Sequence, residues 1–224
     1  MPINRPYGAI TDLPAVVPVF PLTAALLLPR AHLPLNIFEP RYLAMVDAVL
    51  ASHRLIGMIQ PAPDQGDDDA KPALCGVGCL GRVTAFQETG DGRVLVTLTG
   101  VARFRVEHEL TALTPYRQCR VSYAQFADDL MATAAGEEAV DRKKLLTTFH
   151  AYLDANNLEA DWSSINQAPN EMLVNALSMM APYGPREKQA LLEAGSLKDR
   201  ADILVAMTEM VLAKSGAATD TRLN

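Results

Sequence analysis

Apolar and polar positions alternate along much of the first half of the chain. In the second half they recur three and four residues apart. The longest alternating run is 93–106, where Val94, Val96, Leu98, Ala102, Phe104 and Val106 share one face and Arg93, Thr97, Thr99, Arg103 and Arg105 the other. That is strand spacing, and Gly100 in its middle predicts a bend or bulge. Thr89-Gly90-Asp91-Gly92 predicts a hairpin turn joining this strand to one over 77–87. Shorter strands are expected at 16–20, 26–28, 55–59 and 116–123. At 33–39 a further strand should stop at Glu39-Pro40, because proline donates no ladder hydrogen bond. Pro40 can open a helix over 41–52 whose Tyr42, Leu43, Val46, Val49 and Leu50 recur at helical spacing. Residues 1–15 read as a surface tether, and 61–72, with three consecutive aspartates, as a solvated loop.

Beyond 128–136 the pattern turns helical. A helix over 137–156 places Val140, Leu145, Phe149, Tyr152 and Leu153 on one stripe. Glu137, Glu138 and Asp141 would lie in its first turn, favourably towards the helix dipole. Pro169 can open the next helix, with Met172, Leu173, Ala176, Leu177 and Met180 inward. A short helix over 186–194 and a last one capped by Ser196 follow, the latter burying Leu197, Ala201, Leu204, Val205, Thr208, Val211 and Leu212. Residues 215–224 read as a frayed tail. Many short bent strands followed by helices predict an α+β protein: a small β-barrel subdomain at 14–124, an α-helical subdomain at 137–213, and flexible termini at 1–13 and 214–224.

Composition narrows the function. At 49% apolar and 21% charged, the 224 residues suit a globular protein with an ample core. No run approaches a membrane span, and Met1-Pro2-Ile3-Asn4-Arg5-Pro6 leads into no signal-peptide core, so a cytoplasmic location and no membrane partner are expected. Three cysteines, an odd number, fit a reducing compartment. The net charge of −6 arises in residues 126–224, which carry 9 Lys and Arg against 15 Asp and Glu. Such a balance makes nucleic acid an unfavoured partner.

Candidate chemistry is sparse. His108-Glu109 opens like a zinc-protease motif but has no second histidine, so it is read as an exposed turn after a strand. Cys75 and Cys79 lack a second ligand pair and, with Cys119, are expected to be buried thiols. His150 and Asp154, four apart on a helix, are expected to form a surface pair. Ser163, Ser164 and Ser178 have no lysine three residues on, so a Ser-x-x-Lys nucleophile is unsupported. Glu39 and Arg41 flank the strand-to-helix corner and should pair or cap backbone groups there. Met172, Met179, Met180, Met207 and Met210 should mostly be core, an exposed methionine patch being the alternative.

Five ordered blocks resemble the Lon N-terminal (substrate-binding) domain family. They are Leu33-Pro34-Leu35-Asn36-Ile37-Phe38-Glu39-Pro40-Arg41-Tyr42, preceded by Pro18-Val19-Phe20-Pro21-Leu22; Ile56-Gly57-Met58-Ile59-Gln60-Pro61; Gly76 to Val83; Asp91 to Val106; and Glu187 to Ala194 with Arg200-Ala201. The resemblance spans about residues 14–212. It implies a PUA-like β pseudobarrel followed by a C-terminal helical bundle, and a role in binding polypeptides. The 224 residues hold no Gly-x4-Gly-Lys-Ser/Thr loop and no Ser-Lys peptidase dyad. The expectation is therefore a stand-alone, non-catalytic member with no cofactor and no metal. Its partners would be unfolded or partly unfolded polypeptides, with Lon protease itself as a further candidate, met at a groove between barrel and helices or at an open strand edge. The alternative is a small-ligand or RNA-binding PUA-like module, for which Arg82, Arg93, Arg103 and Arg105 would supply the basic cluster.

Overall fold

The computed structural model describes residues 7–62, 72–134 and 136–220, with side chains to residue 214. The chain divides into two compact units: 1–132 with 182–193, and 133–181 with 194–224.

The first unit is built on six strands: β1 (Val16–Pro21), β2 (His32–Ile37), β3 (Leu55–Ile59), β4 (Val77–Glu88), β5 (Val94–Glu109) and β6 (Arg117–Ser122). Helix α1 (Pro40–Leu50) follows β2 at the corner expected from Glu39-Pro40. β1 runs parallel to β3 and antiparallel to β6; β3–β4, β4–β5 and β5–β6 are antiparallel. Those five strands close a ring. β5 is long enough to serve two neighbours in turn, β2 at 94–99 and β6 at 105–109, while β4 runs beside it from 94 to 105. Ring closure buries the alternating face of β5: Val96, Leu98, Ala102 and Phe104 are all at most 2% exposed. Phe104 meets Tyr123 edge-on, ring centroids 6.5 Å apart, and the Tyr123 hydroxyl donates to the Pro14 carbonyl at 3.0 Å. Burial pushes that hydroxyl's pKa well above its ordinary value.

Three expectations change here. Residues 26–28 are buried but form no strand: they lie between a turn closed by Ala25 to Leu22 and one closed by Ala31 to Leu28. They cross β5 at Gly100, whose amide donates to Ala31 and whose carbonyl accepts from Arg30. Residues 7–13 are not a loose tether: Asp12 gathers the amides of Gly8 and Ala9, and Tyr7, Ile10 and Leu13 pack on the barrel core. His108 and Glu109 lie within β5, paired with β6, and not in a turn. The expected loop at 61–72 falls mostly outside the described residues; a bridge joins Pro61 to Leu74 at its base.

α5 (Pro185–Glu193) also belongs to this unit, although the expected helical span 137–213 contained it. Its side chains explain why. Buried Gln60, just past β3, donates to the Pro185 carbonyl at 3.0 Å and to Gln189 at 3.1 Å, and accepts the Ala24 amide. Gln189 donates in turn to the Val77 carbonyl of β4 at 3.1 Å.

The second unit contains α2 (Arg142–Ala155), α3 (Trp162–Gln167), α4 (Asn170–Met180) and α6 (Leu197–Asp220). Glu137 and Glu138 fall in a separate 3-10 turn, so α2 starts later than expected, with Asp141 as its cap accepting the Lys144 amide. Arg142 binds the end of α3 through the carbonyls of Ile165, Asn166 and Ala168, and also meets the Asn170 side chain. Ser196 caps α6 reciprocally with Asp199, as expected. The frayed tail expected from 215 is instead continuous with α6 as far as Asp220; residues 221–224 lie outside the described residues.

Gly100 carries the tightest constraint in the sheet. A Cβ there would lie 2.0 Å from the Leu28 carbonyl oxygen, a backbone atom that cannot swing aside. Gly100→Ala should therefore cost at least about 3 kcal/mol, read as a lowered urea midpoint, if the protein folds at all.

Candidate functional site

β2, β5 and β4 lie side by side with Asn36 opposite Leu95 and Leu95 opposite Gln87. Alternation sends Leu35, Ile37 and Val96 inward, each at most 9% exposed. Pro34, Asn36, Ala85, Gln87, Leu95 and Thr97 consequently share the outer face. Three residues from each strand line a concavity of about 450 Å³ over this region. Leu95 is 42% exposed and Phe38, just past the end of β2, 60%; Phe86 (41%) pairs with Val96 and so alternates to the other face. The Arg93 guanidinium lies 5.8 Å from the Phe38 ring and 3.3 Å from Asp91.

Among the described residues β2 pairs only with β5, so its other edge is open. Pro34 in mid-strand removes one amide from β2, as edge strands that resist uncontrolled pairing often do. An extended chain lying here would gain more from the apolar face than from ladder bonds. Leu95 escaped the sequence reading, although a leucine on the polar face of an alternating strand is the signal that could have found it. Phe38 and Phe86 were hidden because their exposure depends on where the sheet ends.

The basic cluster of the sequence does not assemble. Arg103 is 6% exposed and turned into a bidentate pair with Asp129, Nε and Nη2 each 2.9 Å from its carboxylate. The Arg103 amide joins the same carboxylate at 2.8 Å, and Nη1 donates to the Leu192 carbonyl of α5. Arg105 is exposed and donates to Gln125, Arg82 lies 5.8 Å from the Tyr7 ring, and Arg93 is with Asp91. Strand alternation placed Arg103 outward; the chain after β6 folds back over that face and buries it.

Other candidates resolve as structure. Glu109 pairs with Arg117 at 2.7 Å, and Glu39 with Arg41 at 2.8 Å on the exposed corner. His150 and Asp154 form the expected surface pair at 2.7 Å. Cys79 and Cys119 are buried and Cys75 is half-buried, its thiol pKa raised by burial and by Glu193; no disulfide joins them. Ser178 is buried, donating to the Val174 carbonyl. Among the described residues no three His, Cys, Asp or Glu side chains converge as metal ligands, and no helix is long and apolar enough to cross a membrane. The methionines depart from expectation. Met172 and Met180 are 61% and 82% exposed, because α4 turns Leu173, Val174, Asn175 and Ser178 inward instead, and Met210 on α6 is 60% exposed.

The family model for the ATP-dependent protease La (LON) substrate-binding domain matches residues 16–209. The chain belongs to this family. It is 23% identical to a Lon protease of Flavobacterium johnsoniae over 85% of its length, and 27% identical to Lon protease 2 of Sorangium cellulosum over 92%. It spans only about a quarter of either relative, 23% and 26%. Among solved structures, the N-terminal domain of a Mycobacterium avium complex Lon protease superposes with a TM-score of 0.64 at 17% identity, covering 87% of this chain and 98% of that one. A Lon N-terminal domain protein from Xanthomonas campestris gives 0.59 at 21%, covering 85% and 97%. These likenesses support the α+β fold, a β-rich part followed by helices, for a Lon-type substrate-binding domain.

The two neighbouring arginines of β5 separate structural from surface roles. Arg103→Glu places two carboxylates together in a buried site and should cost at least about 3 kcal/mol. Arg105→Glu should change stability by less than about 0.5 kcal/mol. Denaturant titration of both variants measures the contrast.

Proposed function

We propose that this Lon-type domain binds unfolded or partly unfolded polypeptides on the outer face of β2, β5 and β4, acting by binding alone. The observation that carries this reading is Leu95, 42% exposed between Asn36 and Gln87 on the outer face of three adjacent strands, with the exposed Phe38 just past the end of β2. Their apolar surface is stabilised when an extended chain covers it, and Asn36 and Gln87 beside Leu95 can satisfy that chain's peptide groups. A Lon protease, which brings the motor and peptidase segments, is the further partner this reading names for clients delivered or withheld. The RNA-binding alternative loses support from the burial of Arg103 against Asp129.

Leu95→Asp and Phe38→Ser change exposed positions and should leave the fold intact. Each should weaken binding of a carboxymethylated, permanently unfolded test protein by about tenfold, the loss expected from one buried apolar side chain. Undiminished binding by both variants in a fluorescence-anisotropy titration would remove this face from consideration.

A further inference from the structure

The sheet face accounts for nothing in the helical unit, where the charge pattern is one-sided. From Leu145 to Pro185 the sequence contains no Lys or Arg at all, but it contains Asp154, Glu159, Asp161 and Glu171. Within this stretch α2 and α3 form a groove of about 470 Å³ with Leu146, Ala151 and Trp162 among its lining and His150, Asp154 and Asn166 at its polar positions. The His150 ring stacks on the Trp162 indole at 4.8 Å and 24°, and its Nδ1 meets Asp154 at 2.7 Å. That pair holds the indole in place and keeps the Asp154 carboxylate at the groove. Glu159 and Asp161 lie just before Trp162 in the chain. Asp161 is held anionic: the Ser164 hydroxyl and the Ser163 and Ser164 amides donate to its carboxylate and keep its pKa below the usual range. The cations on α2 are Arg142, Lys143 and Lys144, all in its first turn; Arg142 donates to the Ile165 and Asn166 carbonyls at the far end of α3 from Trp162, and Lys144 faces Glu209 at 3.6 Å.

We propose that the α2–α3 groove around Trp162 is a second docking site, for a polypeptide segment that presents an apolar side chain beside Lys or Arg. The apolar side chain fills the space beside the indole. The cation meets Asp154 at the groove, with Glu159 and Asp161, which precede Trp162 in the chain, adding negative charge to a stretch that holds no lysine or arginine. This selects among polypeptides by charge, as the sheet face with its uncharged lining does not. It stands independently of the role proposed for that face.

Trp162 is the sole tryptophan of the chain, so its emission reports on this groove alone. The full-length protein would be titrated with three synthetic peptides sharing a Leu-Phe-Leu centre and flanked by Lys and Arg, by Gln, or by Glu. Labelled peptides read by anisotropy give the affinity even if emission changes little. The Lys/Arg peptide should shift Trp162 emission saturably, bind more weakly as salt is raised, and outcompete the Gln peptide; the Glu peptide should not bind. Asp154→Asn and Glu159→Gln should each weaken the Lys/Arg peptide by about two- to fivefold, as expected for an exposed ion pair. Leu95→Asp should leave this binding unchanged. Equal affinity for all three peptides, no binding of the Lys/Arg peptide, or indifference to both acidic substitutions would overturn the proposal.

Discussion

The pair between Arg103 and Asp129 ties together three parts of the first unit that are separate in sequence. One guanidinium sits on β5, its carboxylate follows β6, and its remaining donor reaches Leu192 at the end of α5. Phe126 covers the guanidinium from 4.6 Å. Arg30 adds to the same place by donating to the carbonyls of Asp129 and Met131. A buried ion pair is favourable only when desolvation is repaid by geometry and by bonds to every remaining donor. This one meets that demand, and no buried side-chain nitrogen or oxygen among the described residues lacks a hydrogen-bond partner. Its value is as much in specificity as in stability. A hydrophobic contact could tolerate a slip of α5 along the barrel; a bidentate arginine that also binds a particular carbonyl could not.

With the ring of five strands closed, β2 is left outside it, sharing β5 with β6 end to end. That arrangement is why one part of the molecule offers an uncovered sheet. The interior of a closed ring is filled by Phe104, Leu80 and their neighbours and has no room for a client. A strand added outside the ring has an inner face to bury and an outer face with nothing to cover it. The exposed Leu95 and Phe38 follow from this topology, not from any instability of the core.

Much of this was readable in the residues. Strict alternation in β5, the Thr89 to Gly92 turn and the Glu39-Pro40 corner predicted elements whose ends lie within three residues of those observed. The ordered blocks led to the family. What failed shares a physical cause, namely a contact made far along the chain. Leucines 26–28 looked like a strand because burial and strand formation give the same apolar run. Arg103 looked exposed because alternation names a face and says nothing of what folds over it. Met172 and Met180 looked buried because methionine fits either environment and the stripe on α4 is equally well drawn one residue over. The proposed outer-face site was the least legible part, since such a surface differs from a core strand only in what fails to cover it.

The order of segments in the first unit has a consequence for biosynthesis. Its last piece, α5, emerges only after residues 133–181 of the second unit have been made. Until then the Arg103 guanidinium lacks the Leu192 carbonyl, and Gln60 lacks both of its acceptors on α5. At roughly 5–20 residues per second, the nascent barrel waits several seconds with those polar groups unmatched and apolar surface uncovered. A domain proposed to bind unfolded chains thus passes through its own synthesis in need of the same protection.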